Sequence, residues 1–490
     1  MGAYGGKRMK FRNFEIYTYI EMDKHRKYLE ELKKYVSSTK YLPKYHIYPE
    51  CGLLNDPNGL SYYNNEYHVF YQWYPFEATH GMKHWAHVKS KDLINWRRDE
   101  NILIPNLEYE KNGCYSGNAI EKDGDLYIFY TANYKTPEGK IPKQALAIMN
   151  KDGIITKYEK NPIIDGAPEG MSGEIRDPFV FERNGKYFML LGGKSNDNKG
   201  KLILYVSKNL MEWKYKGIVN IPNASFGYML ECPSFCNIDG KDVLIISPMG
   251  LEKKKYRYHN EFSSVYMIGN LDVENMIFNI DYIDELDCGF DFYAPQVFYG
   301  KDKEPIMFAW FGCGEQNLKS DKDMWKHSLT MPRILSIKDN RLYSAPIKGF
   351  KENINLVKAG KSKHISIDEN SYMLSVDIKN DNNKTKIIFG REDIWSIEID
   401  FRENLVTFDR SNLDFKISPK FGLERIATFN ECDILTLDIF VDNSFIEVYV
   451  GNGERTFTAR VFNDTREIEF ISKSNINYKL YDCSNITSFK

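Results

Sequence analysis

The sequence predicts an all-β protein, a five-bladed β-propeller followed by a C-terminal β-sandwich, and three observations carry that expectation. Hairpin turns recur at a near-constant interval, apolar strand runs flank each of them, and the last quarter of the chain changes to alternating strands. A chain of 490 residues also exceeds what one ordinary core supports, so more than one folded body is expected.

Five segments share one pattern of apolar run, turn pair and second apolar run: LSYYNNEYHVFYQW, AIEKDGDLYIFYTA, FVFERNGKYFMLLGG, SFCNIDGKDVLIISP and QVFYGKDKEPIMFAW. Asn-Asn, Asp-Gly, Asn-Gly and Asp-Gly at the first four turns suit tight hairpins that need positive φ. The turns begin at Asn64, Asp123, Asn184, Asp239 and Lys301, with separations of 59, 61, 55 and 62 residues. SKDLINW and SKNLMEW repeat 117 residues apart, close to two periods. Hairpins at this interval read as propeller blades with room for functional loops.

In chain order, residues 1–38 are expected to be an N-terminal helical segment that serves packing, since 14–38 is rich in Glu, Lys, Leu and Tyr. Residues 39–345 form the propeller and 346–362 a linker. Residues 363–490 form the sandwich, on runs such as YMLSVDIK and SFIEVYV, where alternate residues share a face.

Composition narrows the function classes. A net charge of −2 gives no support for nucleic acid or an anionic membrane as partner. No run approaches a membrane span and the start has no apolar leader core, so a cytoplasmic protein is expected. The eight cysteines show no CxxC and no dense framework, as for free thiols in a reducing compartment. Aromatic residues make up 14%, which suits strands and also sites where flat rings stack on sugars. His80, His84 and His87 cluster in HGMKHWAH without a complete ligand set, so neither a metal nor another cofactor is expected.

Chemistry enters through position within the repeat. Upstream of the turns stand NDPNGL, YSGNAI, RDPFVF, ECPSFC and YAPQVF. Asp56 precedes its turn by 8 residues, Ser116 by 7, Asp177 by 7 and Glu231 by 8. Taken singly, Asn-Asp-Pro-Asn-Gly is a strong turn signal and a lone Glu is a surface residue. Taken together, equivalent places on the innermost strands converge at one end of a propeller's axis, and three acids meet there. Acids gathered in one cavity repel one another and raise at least one pKa, which costs stability and marks a functional site. One protonated and one ionised carboxyl are the equipment for cleaving a glycosidic bond.

These residues resemble glycoside hydrolase family 32, the β-fructofuranosidases, near the bacterial sucrose-6-phosphate hydrolases. YHIYPECGLLNDPNGL, FYQW, HGMKHWAHVKSKDLINW, GCYSGNA, EIRDPFVF, ECPSF, GFDFYAPQ, MPRIL and FIEVYVGNGERTFTARVF run in family order from about residue 45 to 462. The resemblance implies that Asp56 is the nucleophile on the fructosyl C2, Glu231 the general acid/base and Asp177 the carboxylate that holds fructose hydroxyls. It implies sugar contacts at Asn55, Gln72, Tyr115, Ser116, Arg176, Tyr293 and Trp325. Leu53 stands where many relatives carry Trp, and Ile334 where Glu is usual.

The implied reaction is retaining hydrolysis of sucrose or sucrose 6-phosphate, in which the neighbouring aspartates are expected to raise Glu231. Lys83 and His80 are candidate phosphate contacts, although a solvated surface lysine is the plainer reading of Lys83. The alternatives are a fructan exo-fructosidase or fructosyltransferase and, from another class, a non-catalytic carbohydrate-binding protein. Exposed sandwich edges are candidates for a homodimer contact.

Overall fold

The protein is described by a computed structural model covering residues 15–463, 466–473 and 475–489. Residues 1–14 of the expected N-terminal segment lie outside the described residues. The remainder holds the helix Met22–Val36, whose His25, Leu29, Leu32 and Val36 recur every three or four positions and are buried. That stripe packs the helix on the first sheet, with the His25 and Phe76 rings edge to face at 5.0 Å.

From residue 52 to 346 the chain folds into five successive, mainly antiparallel sheets, with Trp325–Lys326 added in parallel to the first and a separate two-stranded ribbon, Lys135–Thr136 with Gly139–Lys140. Their first strands are Gly52–Tyr63, Cys114–Tyr115 with Ala119–Lys122, Met171–Arg183, Met229–Ile238 and Tyr293–Tyr299. Each of these contacts the next, and the last contacts the first, so they close a ring as propeller strands do. The predicted turns are present. Asn64, Asn65, Asp123, Gly124, Asn184, Gly185, Asp239 and Gly240 all have positive φ, as two-residue hairpins of matching twist require.

Polar side chains tie the first strands of different sheets together. Asn118 Nδ2 donates to the Val180 carbonyl and its Oδ1 accepts from Val180 N, at 2.9 and 2.8 Å. Gln296 Nε2 donates to the Gly117 carbonyl at 2.9 Å, and Ser234 Oγ accepts from Val297 N at 2.8 Å. These links satisfy backbone groups near the axis that no ladder reaches.

The C-terminal strands form two six-stranded antiparallel sheets. One core fills the space between them, with Leu374, Val376, Ile397, Val406, Leu437 and Val448 at its centre. Trp395 stacks between Phe389 and Phe408 at 3.8 and 5.0 Å. Leu53, where many relatives carry Trp, is fully buried. Nothing in the structure explains Ile334.

Candidate active site

The feature that positions the site is a break of register at one place in the first strands. The pairing slips between Leu54 and Pro57, Arg176 and Phe179, Glu231 and Ser234, and Tyr293 and Gln296. Each slip contains an X-Pro pair, Asp56-Pro57, Asp177-Pro178, Cys232-Pro233 or Ala294-Pro295. Proline cannot donate to a ladder, so the strand bulges and the residues beside it are re-aimed. Asp177, Cys232 and Ala294 have φ of 63°, 45° and 50°, unfavourable for residues with a Cβ and more so before proline.

NDPNG is therefore no turn. It lies inside the continuous strand Gly52–Tyr63, and its polar residues serve the bulge. Asn58 Nδ2 donates to the Asp56 carbonyl at 2.9 Å, and Asn58 Oδ1 accepts from Gly117 N at 3.0 Å.

The bulges open on a cavity of about 430 Å³ lined by Asn55, Asp56, Gln72, His80, Lys83, Tyr115, Arg176, Asp177, Glu231 and Tyr293, among others. Asp56 Oδ2 accepts from the Ser116 hydroxyl, which itself accepts from Gln72 Nε2 at 2.6 Å. Asp177 Oδ2 accepts from the Cys232 backbone N–H at 3.0 Å, and the Cys232 Sγ lies 3.5 Å from it and 3.8 Å from Asp56 Oδ2. Glu231 Oε1 accepts from Arg176 Nε at 2.8 Å and pairs with Nη2 at 2.7 Å, while Oε2 accepts from the Tyr293 hydroxyl at 2.8 Å.

Electrostatics distinguish the three acids. Burial raises Asp56 to about 6 despite the Ser116 hydrogen bond, and the Glu231 charge adds to the rise. Burial and then the Glu231 charge also raise Asp177, with Arg176 opposing. The expectation at Glu231 counted only its two neighbouring aspartates. The structure adds the Arg176 guanidinium at hydrogen-bond distance from that carboxyl.

Two sequence-based expectations need correction. Trp325 does not line the cavity. Trp325–Lys326 adds in parallel to Gly52–Leu53, and the indole is fully buried near Tyr48 and Phe445, with ring centroids at 6.5 and 6.3 Å. Lys83 is no solvated surface lysine, being only 5% exposed. Its Nζ donates to Asn55 Oδ1 and lies 3.3 Å from His80 Nδ1.

Trp310, Phe262, Met249, Lys140, Glu261 and Glu315 line the cavity and were missed. Met249 and Trp310 end the second strands of their sheets, near the level of Gln72 in the first sheet. Met249 follows the Asp239 turn by 10 residues and Trp310 the Lys301 turn by 9, as Gln72 follows Asn64 by 8, and that shared offset is the sequence signal for both. His84 and His87 turn elsewhere, to the Ile20 backbone N–H at 3.0 Å and to His68 at 3.0 Å.

Comparison with known proteins now bears on this geometry. Residues 46–346 match the model described as glycosyl hydrolases family 32 N-terminal domain, and residues 341–486 match its family 32 C-terminal counterpart. The chain belongs to glycoside hydrolase family 32. It is accordingly a glycoside hydrolase, and its propeller and sandwich are the architecture of that family.

A sucrose-6-phosphate hydrolase of Staphylococcus xylosus is 35% identical over 448 residues, covering 89% of this chain and 90% of that protein. One from Bacillus subtilis is 35% identical over 463 residues, with 91% and 94% covered. Among solved structures, sucrose-6-phosphate hydrolase from Lactobacillus gasseri superposes with a TM-score of 0.87 at 32% identity, covering 93% of this chain and 96% of that one. A Bombyx mori β-fructofuranosidase variant in complex with sucrose gives 0.85 at 29% identity, covering 96% and 98%.

Proposed function

We propose that the protein cleaves the fructosyl bond of sucrose or sucrose 6-phosphate with retention, through a covalent fructosyl-enzyme. The observation that carries the reading is that Asp56, Asp177 and Glu231, from three sheets, line one cavity. The relatives named above act, by their names, on sucrose 6-phosphate, and the Bombyx mori structure holds sucrose.

In the first step an Asp56 oxygen attacks C2 of the fructosyl unit. The C2–O bond to the glucosyl unit breaks, and that oxygen takes the proton of Glu231. In the second, ionised Glu231 removes a proton from water, the water oxygen attacks C2, and Asp56 leaves as carboxylate. Asp177 accepts hydrogen bonds from fructose hydroxyls and faces the positive charge that develops at C2. Burial and mutual repulsion keep a proton among the cavity carboxyls near neutral pH. Arg176 and Tyr293 hold Glu231 in a fixed orientation.

Residues 39–345 would then be the catalytic domain and the sandwich an accessory module; it begins before the expected 363, because Asn355–Ser362 of the expected linker is an edge strand of one sandwich sheet, paired with Ile476–Asp482. No helix among the described residues is long and apolar enough to cross a membrane, and action on an imported sugar in the cytoplasm fits this reading. The test is a product assay on sucrose, sucrose 6-phosphate and a short fructan. Release of fructose from either sucrose form, faster than from the fructan, is the expected result. No fructose from any of the three refutes the proposal, and transfer of fructose to sugar in place of water refutes the hydrolytic half of it.

A further inference from the structure

Lys83 sits on the short loop between the first sheet's second and third strands, Glu66–Tyr74 and His84–Ser90. The N-terminal segment holds this loop in place. Met82 N donates to the Ile16 carbonyl at 2.6 Å, and Ile20 N donates to His84 Nε2 at 3.0 Å. The buried lysine reaches past His80 to Asn55, the residue before Asp56. An ammonium group has donors only. Asn55 must therefore turn its oxygen toward Lys83, which directs its NH₂ away from it. Asn55 is 3% exposed and lines the cavity, and among the described residues its Nδ2 has no hydrogen-bond partner.

We propose that Lys83 is a positioning residue that locks the Asn55 amide with its NH₂ facing the sugar, so that the cavity offers a hydrogen-bond donor to a substrate oxygen beside the nucleophile. The inference rests on the reading of Asp56 given above. Without Lys83 the amide is free to flip and present its oxygen, an acceptor where the substrate needs a donor, and both binding and alignment suffer. Burying an ammonium so close to the reaction is costly, and burial lowers Lys83 to about 7 with only the Asp56 charge opposing. A lysine in that place serves the site rather than stability.

The test is a double-mutant cycle on kcat/KM for sucrose or its 6-phosphate, whichever is turned over. Lys83→Met and Asn55→Ala are each expected to lose ~10–100-fold, and the double variant to be no worse than Asn55→Ala within about 3-fold. Lys83→Gln, whose amide still donates to Asn55 Oδ1, is expected to recover most of the loss. Asn55→Asp keeps the contact to Lys83 and removes the donor, so it should fall as far as Asn55→Ala. That variant decides the matter if Lys83→Met does not fold. Losses that multiply in the double variant overturn the proposal, as does wild-type kcat/KM in Lys83→Met or Asn55→Asp. Asp56→Asn run in parallel separates the two readings, because full turnover there refutes the nucleophile and not the lock.

Discussion

Two clusters of buried carboxyls in this molecule behave in opposite ways. Between propeller and sandwich, Arg333 pairs with Glu447 at 2.7 Å and Asp287 at 2.9 Å, and His46 bridges Glu447 and Asp442 at 3.0 and 2.8 Å. Every one of these side chains is fully buried. Burial alone would raise Glu447, but Arg333 and His46 bring it down to about 2. In the cavity, Asp56 and Asp177 touch no cation among the described residues and are raised. Burial is common to both clusters; what separates them is that two of the three cavity carboxyls stand without a cation partner, Glu231 alone pairing with Arg176, while the fastener's carboxyls are all paired.

The largest expected effect breaks the comparison on the reactive side. Asp56→Asn should lower kcat by ~10³-fold or more while leaving the fold intact, measured by fructose release and circular dichroism. Turnover near wild type would make Asp56 one more structural carboxyl.

The fastener side is tested by Arg333→Met. It leaves Glu447 and Asp287 buried without their guanidinium, at a cost of ~3–5 kcal/mol in denaturant unfolding, with kcat per folded molecule within about 2-fold of wild type. The stability held by Glu447 is present above its ordinary pKa of 4.5 and is lost as pH falls through about 2. An unchanged midpoint in Arg333→Met would show that the pairing does no work.

A smaller effect sharpens the contrast. Asp56 rises from an ordinary 3.8 to about 6 on folding, so between those values the folded chain keeps a proton that the unfolded chain has released. Stability therefore falls as pH rises through that window. Asp56→Asn removes the penalty and should stabilise the protein by ~1–3 kcal/mol at pH 7, the gain vanishing toward pH 4. A variant less stable than wild type at pH 7 would place Asp56 among the fasteners.

Much of this was legible in the sequence, and the reasons are physical. The first four hairpin turns demand positive φ and use only Asn, Asp and Gly, which makes the sixty-residue period visible, while the fifth places Lys303 at a φ of 66°. The shared phase of Asp56, Asp177 and Glu231 follows from that period. What local rules misread is NDPNG, since the residues that shape a turn also shape a bulge inside a strand, and only the partner strand decides between them. Lys83 was misread because a lysine's burial depends on a loop held by residues 16 and 20, far from it in sequence. Trp325 failed for a related reason: a two-residue parallel pairing with Gly52–Leu53 buries it, and nothing in its own neighbourhood announces that contact.

The most direct test of the central claim is to catch the covalent intermediate. Glu231→Ala retains the nucleophile and loses the base that activates water, so an activated donor such as fructosyl fluoride should load the enzyme faster than it is unloaded. Mass spectrometry of the quenched variant should find one fructosyl unit on the peptide that carries Asp56, and added azide should discharge it as fructosyl azide. A variant that turns the donor over without an adduct, or carries the adduct on another residue, contradicts the account.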